Sequence, residues 1–246
     1  MALQEELERD GVRLFKQRSH FPLILVVLLG VELWLAPAAP LPAWAEAAWT
    51  GLCLAIAFVG EWIRAYTVGR VPGGTSARQT RAPAGGTLNT SGFYSVVRHP
   101  LYLGNFLIWA GLALLARSWR FELIVVLAFW VYYERIMYAE EAYLRRSFGA
   151  AFQEWAARTP AFLPALRQWR PPELPFSWRV VVRREHSSAF AIVVIYAAVV
   201  YARDLLAGGP VGTHAVVLAA LGVSLALFLV AVYLTRRTRL LNVPGR

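Results

Sequence analysis

Arg98-His99-Pro100-Leu101-Tyr102-Leu103-Gly104 sets a guanidinium, an imidazole and a phenol at the start of an apolar stretch. Further along, Glu140-Glu141 stands where another apolar stretch turns amphipathic. Charged groups at membrane depth are costly, and those that stay there serve a site by default. Cations would hold an anionic group, and carboxylates would hold ammonium or hydroxyl groups. Both clusters are expected on the same side of the membrane, which predicts a shared pocket at its surface.

Pro100 suits the first helical position, where its missing N–H costs nothing. His99 is then the cap, and the amides of Leu101 to Leu103 are expected to point into the preceding loop, an arrangement that attracts anions. Tyr102 follows His99 and Arg98 by three and four residues and lies near both. Gly104 and Gly111 leave one helix face bare, open to close approach. Arg98 and Tyr102 also read as interfacial anchors.

In the second cluster Ile136, Glu140, Leu144, Phe148 and Phe152 recur every four residues along one helical face. Glu140 is therefore expected inward, where a carboxylate needs a cation or hydrogen-bond donors. Glu141 turns about 100° away, in reach of Arg145 for a routine helix ion pair, and is the second candidate. Glu61 and Arg64, three apart, read as neutralising each other, and Glu32 has no local partner. His20, His99, His186 and His214 have no metal-ligand spacing, so no metal site is expected. There is no Walker loop, no Gly-x-Gly-x-x-Gly after a strand and no Gly-x-Ser-x-Gly.

Hydrophobic residues make up 58% of the 246 and charged residues only 16%, with a mean hydropathy of +0.47. Soluble domains carry about 25% charged residues. Six apolar blocks read as membrane spans: Phe21 to Ala36, Trp44 to Val68, Leu101 to Ala116, Phe121 to Tyr133, Ala189 to Leu206 and Ala215 to Thr235. Several are short against the ~20 residues that a bilayer requires. Six spans place both ends and the long connectors on one side. That side holds twenty Lys and Arg residues against three on the other, Arg117, Arg120 and Arg203. The bias predicts cytoplasmic termini at a cell (inner) membrane. It also assigns the net charge of +10 to anionic lipid headgroups. A nucleic-acid groove would interleave its cations with stacking aromatics, and none is expected.

The basic arm, apolar run and Ala43-Trp44-Ala45 resemble a cleaved signal. The arm also carries Glu5, Glu6, Glu8 and Asp10, which favours a retained first span. The single Cys53 has no intrachain partner. Three parts are expected: 1–68, an interfacial arm and two spans; 69–164, a loop, helical hairpin and amphipathic helix; 165–246, a Pro-rich connector and two further spans around Gly208-Gly209-Pro210. The whole is an all-α, polytopic membrane helical bundle of about six transmembrane helices. Its arm is a weak amphipathic helix at the interface. The Pro72 to Ala84 stretch reads equally as connector or ordered loop, whereas Gly86 to Tyr94 is expected ordered.

The run Leu88-Asn89-Thr90-Ser91-Gly92-Phe93-Tyr94 continues through Ser95-Val96-Val97 into Arg98-His99-Pro100-Leu101-Tyr102-Leu103-Gly104. Glu140-Glu141-x-x-Leu144-x-x-x-Phe148-Gly149 and Pro160-x-x-x-Pro164 follow. Together these resemble the isoprenylcysteine carboxyl methyltransferase family and its phospholipid methyltransferase relatives. These are integral membrane enzymes that use S-adenosyl-L-methionine. The resemblance covers roughly residues 86 to 164. It implies a cofactor site around Thr87, Leu88, Asn89, Tyr94, His99, Pro100, Leu101, Tyr102, Gly104, Glu140 and Glu141. A family arginine that serves the substrate would match about Ile136, with Arg135 one residue earlier. Arg98 or Arg135 would then orient an anionic acceptor, a membrane lipid or lipid-anchored group, with a lipid phosphate favoured over a carboxylate. The last two spans would widen a lipid groove or form a dimer contact, and the oligomeric state stays open. Two rivals remain: an NADPH-dependent membrane reductase of the sterol-reductase kind, and a non-catalytic transporter or assembly factor.

Overall fold

Glycine sets how closely the central helices pack. A Cβ on Gly60 would lie 2.5 Å from the Gly104 carbonyl oxygen, and one on Gly111 would lie 2.6 Å from that of Cys53. Two helices, α3 (Ala43–Val68) and α4 (Pro100–Leu114), therefore meet backbone to backbone. The bare face of α4 is real, and α3 fills it. Gly104 packs against α3, where a Cβ would lie 2.7 Å from the Gly60 carbonyl oxygen.

The computed structural model describes residues 2–18, 20–37, 39, 41–72, 88–206 and 214–246. Thr87, most of the Pro72 to Ala84 stretch and the Gly208-Gly209-Pro210 turn lie outside them. Before α3 come α1 (Leu3–Gln17) and α2 (Phe21–Leu35); after α4 come α5 (Trp119–Phe148), α6 (Ala150–Arg158), α7 (Trp178–Leu206) and α8 (Ala215–Arg237). All six expected apolar blocks are helices. Three of them, α3, α7 and α8, are each long and apolar enough to cross a membrane, and α1 with α2 makes a fourth if they form one bent span. The 15 residues of α4 span only ~22 Å against a ~30 Å hydrocarbon core. By contrast α5 is one continuous helix of 30 residues, so the fourth apolar block and the amphipathic segment form a single rod. The four-residue stripe does not run on to Phe152 in that helix. Gly149 adopts φ 53° and ends it, a conformation that costs glycine little.

The N-terminal arm is more than an interfacial float. It lies along α5, with Gly11 beneath the Arg135 carbonyl. The Tyr132 hydroxyl donates to the Leu14 carbonyl at 2.7 Å, and Arg146 grips Glu8 through two bonds of 2.6 and 3.0 Å. The other end of the bundle gathers the few charges expected there. Glu46 takes Arg203 at 2.6 Å and Arg117 at 3.1 Å. Glu32, without a local partner in sequence, accepts from the Ser118 hydroxyl at 2.5 Å. On the opposite, loop-bearing end Arg246 donates to the carbonyls of Gly69 and Pro175. The outermost helix, α8, packs on α7 and buries only Val217 and Ala231. Its exposed Val216, Val223, Leu227 and Val230 form the apolar surface that a helix facing lipid presents.

Candidate functional site

Residues 88 to 99 are fixed by zippering to the segment that follows α6. Gly92 N–H donates to the Arg170 carbonyl at 3.0 Å, Arg98 N–H to that of Pro160 at 2.9 Å and His99 N–H to that of Ala161 at 3.3 Å. Gly92 adopts φ 60°, which lets the chain turn there. The Ser95 hydroxyl accepts from Arg170 N–H and donates to the Gly92 carbonyl. Trp155 of α6 donates its indole N–H to the Tyr94 carbonyl at 3.0 Å. Asn89 is held locally, its side-chain oxygen accepting from Ser91 N–H at 3.1 Å. The described part of the expected loop is therefore ordered by backbone pairing.

Pro100 begins α4 with His99 at its cap, as its ring geometry dictates. Of the expected row of free amides, those of Tyr102 and Leu103 are not free: the His99 carbonyl takes both N–H groups. A tightened first turn satisfies them internally, so an anion is not drawn to this helix start by those groups.

What α4 presents instead is side chains, and α5 answers with both acids. His99 Nε2 lies 2.9 Å from Glu141 Oε1, and its Nδ1 lies 3.5 Å from Glu140 Oε2. The Tyr102 hydroxyl donates to Glu140 Oε1 at 2.7 Å, and its ring stacks on the imidazole at a centroid distance of 5.7 Å. Arg98 Nε donates to Glu141 Oε1 at 2.8 Å, and its Nη1 donates to the carbonyls of Ala156 and Thr159. Two cations thus meet two carboxylates across the hairpin. With an acid facing each ring nitrogen, both nitrogens serve as donors only in the imidazolium form. Burial works against that charge, yet the two carboxylates outweigh it and hold the His99 pKa above its ordinary value. Glu141 is likewise penalised by burial, but His99 and Arg98 hold its pKa below the usual carboxylate range. Burial and the neighbouring Glu140 charge push the Tyr94 hydroxyl up, keeping it a neutral donor.

The expected site residues divide accordingly. His99, Tyr102, Glu140 and Glu141 come together, with Pro100 buried beneath them and Tyr94 within electrostatic reach. Glu141 does not form the expected pair with Arg145; its partners lie across the hairpin. Arg98 is committed to that clamp. Arg135 is not brought to the cluster, because its guanidinium donates to the Val131 carbonyl of its own helix at 2.7 Å. Leu88 and Asn89 are half-buried in the ordered loop.

Beside the cluster lies a cavity of about 450 Å³. Leu101, Tyr102 and Tyr133 form one wall, so Tyr102 faces the cavity while its hydroxyl engages Glu140. Arg18, Arg64 and Arg184 line it together with Glu185. Sequence reasoning missed these four. Arg64 reads as half of a local pair with Glu61, yet its closest acid is Glu185, at 2.6 Å against 4.0 Å for Glu61.

Residues 48–151 match the phospholipid methyltransferase family. The chain is 42% identical over 84 residues to the cobalt-zinc-cadmium resistance protein CzcN of Cupriavidus metallidurans, covering 34% of this chain and 38% of that protein. It is 41% identical over 83 residues to the nickel-cobalt-cadmium resistance protein NccN of Alcaligenes xylosoxydans xylosoxydans, again 34% and 38% of the two lengths. To the protein-S-isoprenylcysteine O-methyltransferase of Schizosaccharomyces pombe it is 35% identical over 80 residues, 32% of this chain and 34% of that one. The chain thus spans little more than a third of each relative's length. No solved structure matches it. His99, both acids and the α3–α5 walls of the cavity all lie within residues 48–151, the part of the chain that matches the phospholipid methyltransferase family.

Proposed function

We propose that this protein is an integral membrane methyltransferase. It would transfer a methyl group from S-adenosylmethionine to an oxygen on a lipid or lipid-anchored acceptor at the cytoplasmic face. The observation that carries this reading is the Glu140 carboxylate. It is anchored by Tyr102 and His99, yet its side chain remains 25% exposed, with lone pairs to spare for a ligand. One turn along α5, the buried Tyr143 hydroxyl has no hydrogen-bond partner among the described residues. A carboxylate and an unsatisfied hydroxyl three residues apart share one helix face. That donor and acceptor set fits the ammonium and hydroxyl groups of the cofactor.

When bound, S-adenosylmethionine supplies an electrophilic methyl group on a sulfonium. Glu140 would hold its polar end, Tyr102 and the imidazolium of His99 would keep that carboxylate in place, and Tyr94 would offer a neutral hydroxyl nearby. Glu141 and Arg98 act one step back by fixing His99 and tying α5 to the loop that enters α4. An oxyanion acceptor is already a nucleophile, so the chain needs no general base. It contributes alignment, which supplies much of the rate in such displacements, and a wall that excludes water. The cytoplasmic orientation rests on the basic-residue bias and on the gathering of loops and tail at the cluster's end of the bundle.

The test is transfer of label. Membranes containing the protein are incubated with S-adenosylmethionine tritiated on its methyl group, and lipids are then extracted. Tritium should enter the lipid fraction with wild type and drop at least tenfold with Glu140→Gln. Equal counts in the two, or none above membranes lacking the protein, contradict the reading.

A further inference from the structure

The 450 Å³ cavity is bounded on one side by a helix outside the family segment. Glu185, Ser188, Ile192 and Ile195 of α7 line it opposite Asn105, Ile108 and Leu112 of α4. Its volume falls among ordinary ligand pockets, about 300–1,000 Å³. Its lining is divided along its length. One end collects Arg18, Arg64 and Arg184, with Glu185 in the lining and Glu61 behind Arg64 at 4.0 Å; the other is closed by Ile108, Leu112, Ile192 and Ile195.

Arg64 is the pivotal group. Its Nε and Nη2 donate to Glu185 at 2.9 and 2.6 Å, and its Nη1 donates to the Asn105 side-chain oxygen at 2.5 Å. Asn105 in turn donates to the Tyr133 hydroxyl at 3.0 Å. A guanidinium has five N–H donors, and these bonds use three. The fork is therefore locked in place by α4 and α7, with two donors left unclaimed among the described residues on a group that faces the cavity. A locked, partly desolvated guanidinium suits an oxyanion, which it can take in bidentate fashion.

We propose that this cavity is the acceptor site. An oxyanion headgroup binds at Arg64, within the field of Arg18 and Arg184, and its aliphatic chain lies between α4 and α7. This rests on the methyltransferase reading for what the bound molecule is for, and on the cavity alone for what it is. Arg64, rather than Arg98 or Arg135, is then the acceptor-orienting cation. Glu185 is a positioning residue, and α7 selects the chain. Tyr102 forms the partition between this cavity and the Glu140 cluster.

Native mass spectrometry of the detergent-purified protein tests this. Dioleoyl phosphatidic acid and oleate supply the two oxyanion types, with dioleoyl phosphatidylcholine as the zwitterionic comparison. Variants are Arg64→Lys, which keeps the charge and loses the fork, and Ile195→Trp and Ile108→Trp, which fill the apolar end from opposite walls. Calorimetry with S-adenosylmethionine runs alongside. Wild type should retain at least one oxyanion lipid tenfold better than phosphatidylcholine, and whichever is retained identifies the headgroup. Arg64→Lys should remove that preference, and the tryptophan variants should lower retention of every lipid, all with unaltered cofactor affinity. Oxyanion selectivity that survives Arg64→Lys, or retention unaffected by either tryptophan, overturns the assignment. Selective retention lost in the variants, in a protein that binds no S-adenosylmethionine, upholds the cavity assignment and defeats the methyltransferase reading.

Discussion

Glu141→Gln should destabilise the protein by about 2 kcal/mol. Glu141 Oε1 accepts from Arg98 Nε at 2.8 Å and faces His99 Nε2 at 2.9 Å. Glutamine keeps an acceptor oxygen at that position and loses only the charge. Charge-assisted hydrogen bonds are worth roughly 1.5–3 kcal/mol and neutral ones about 1 kcal/mol. The loss is therefore about 1 kcal/mol for each of two bonds. The side chains of Arg98 and His99 are only 17% and 4% exposed, so solvent screening trims this little. A change of that size alters the folded-to-unfolded ratio by up to about 30-fold. The assay is thermal and denaturant unfolding in detergent micelles of wild type, Glu141→Gln, Arg98→Ala and Arg145→Ala. The structure expects Arg98→Ala to cost at least as much as Glu141→Gln and Arg145→Ala to be near neutral. The reasoning fails if Glu141→Gln unfolds with wild type, or if Arg145→Ala is the costly change while Arg98→Ala is silent.

Stability should also depend on pH at both flanks. The raised His99 pKa adds stability that is complete below its ordinary 6.5 and is lost as pH climbs through the folded value. The lowered Glu141 pKa adds stability present above its ordinary 4.5 and lost as pH falls through the folded value. Unfolding midpoints of wild type should therefore decline on the alkaline side, and His99→Asn should flatten that decline; an unchanged profile would refute the imidazolium. Gly111→Ala should cost roughly 1–3 kcal/mol by overpacking, since its Cβ would meet backbone at 2.6 Å, whereas Gly222→Ala has open space. Equal melting temperatures for the two variants would show that α3 and α4 are not in backbone contact.

What the sequence revealed and what it hid follow from range. Pro100 opens α4 because ring geometry is a local property, and Glu140 turns inward because a four-residue stripe is read within one helix. Glu141 reads as a partner of Arg145 because that is the cation at helical spacing along its own helix. Its real partner, Arg98, is 43 residues away across the hairpin. Arg64 and Glu185 stand 121 residues apart, and no periodicity links one helix to another. The same limit applies to the glycines: Gly104 and Gly111 announce a bare face, but only packing shows that α3 takes it. Six apolar blocks were visible as composition. That the fourth continues into the amphipathic segment as one helix was hidden by its Glu134-Arg135 pair, which interrupts the apolar run without breaking the backbone.

Equilibrium binding of S-adenosylmethionine to the purified protein tests the central claim most directly. Wild type, Glu140→Gln and the exposed-site control Glu134→Gln are compared. Glutamine keeps an acceptor and loses the charge, about 1 kcal/mol for each contact to the cofactor, so binding should weaken at least about fivefold in Glu140→Gln, with the control matching wild type. Absence of binding by wild type, or one affinity shared by all three proteins, would contradict the account.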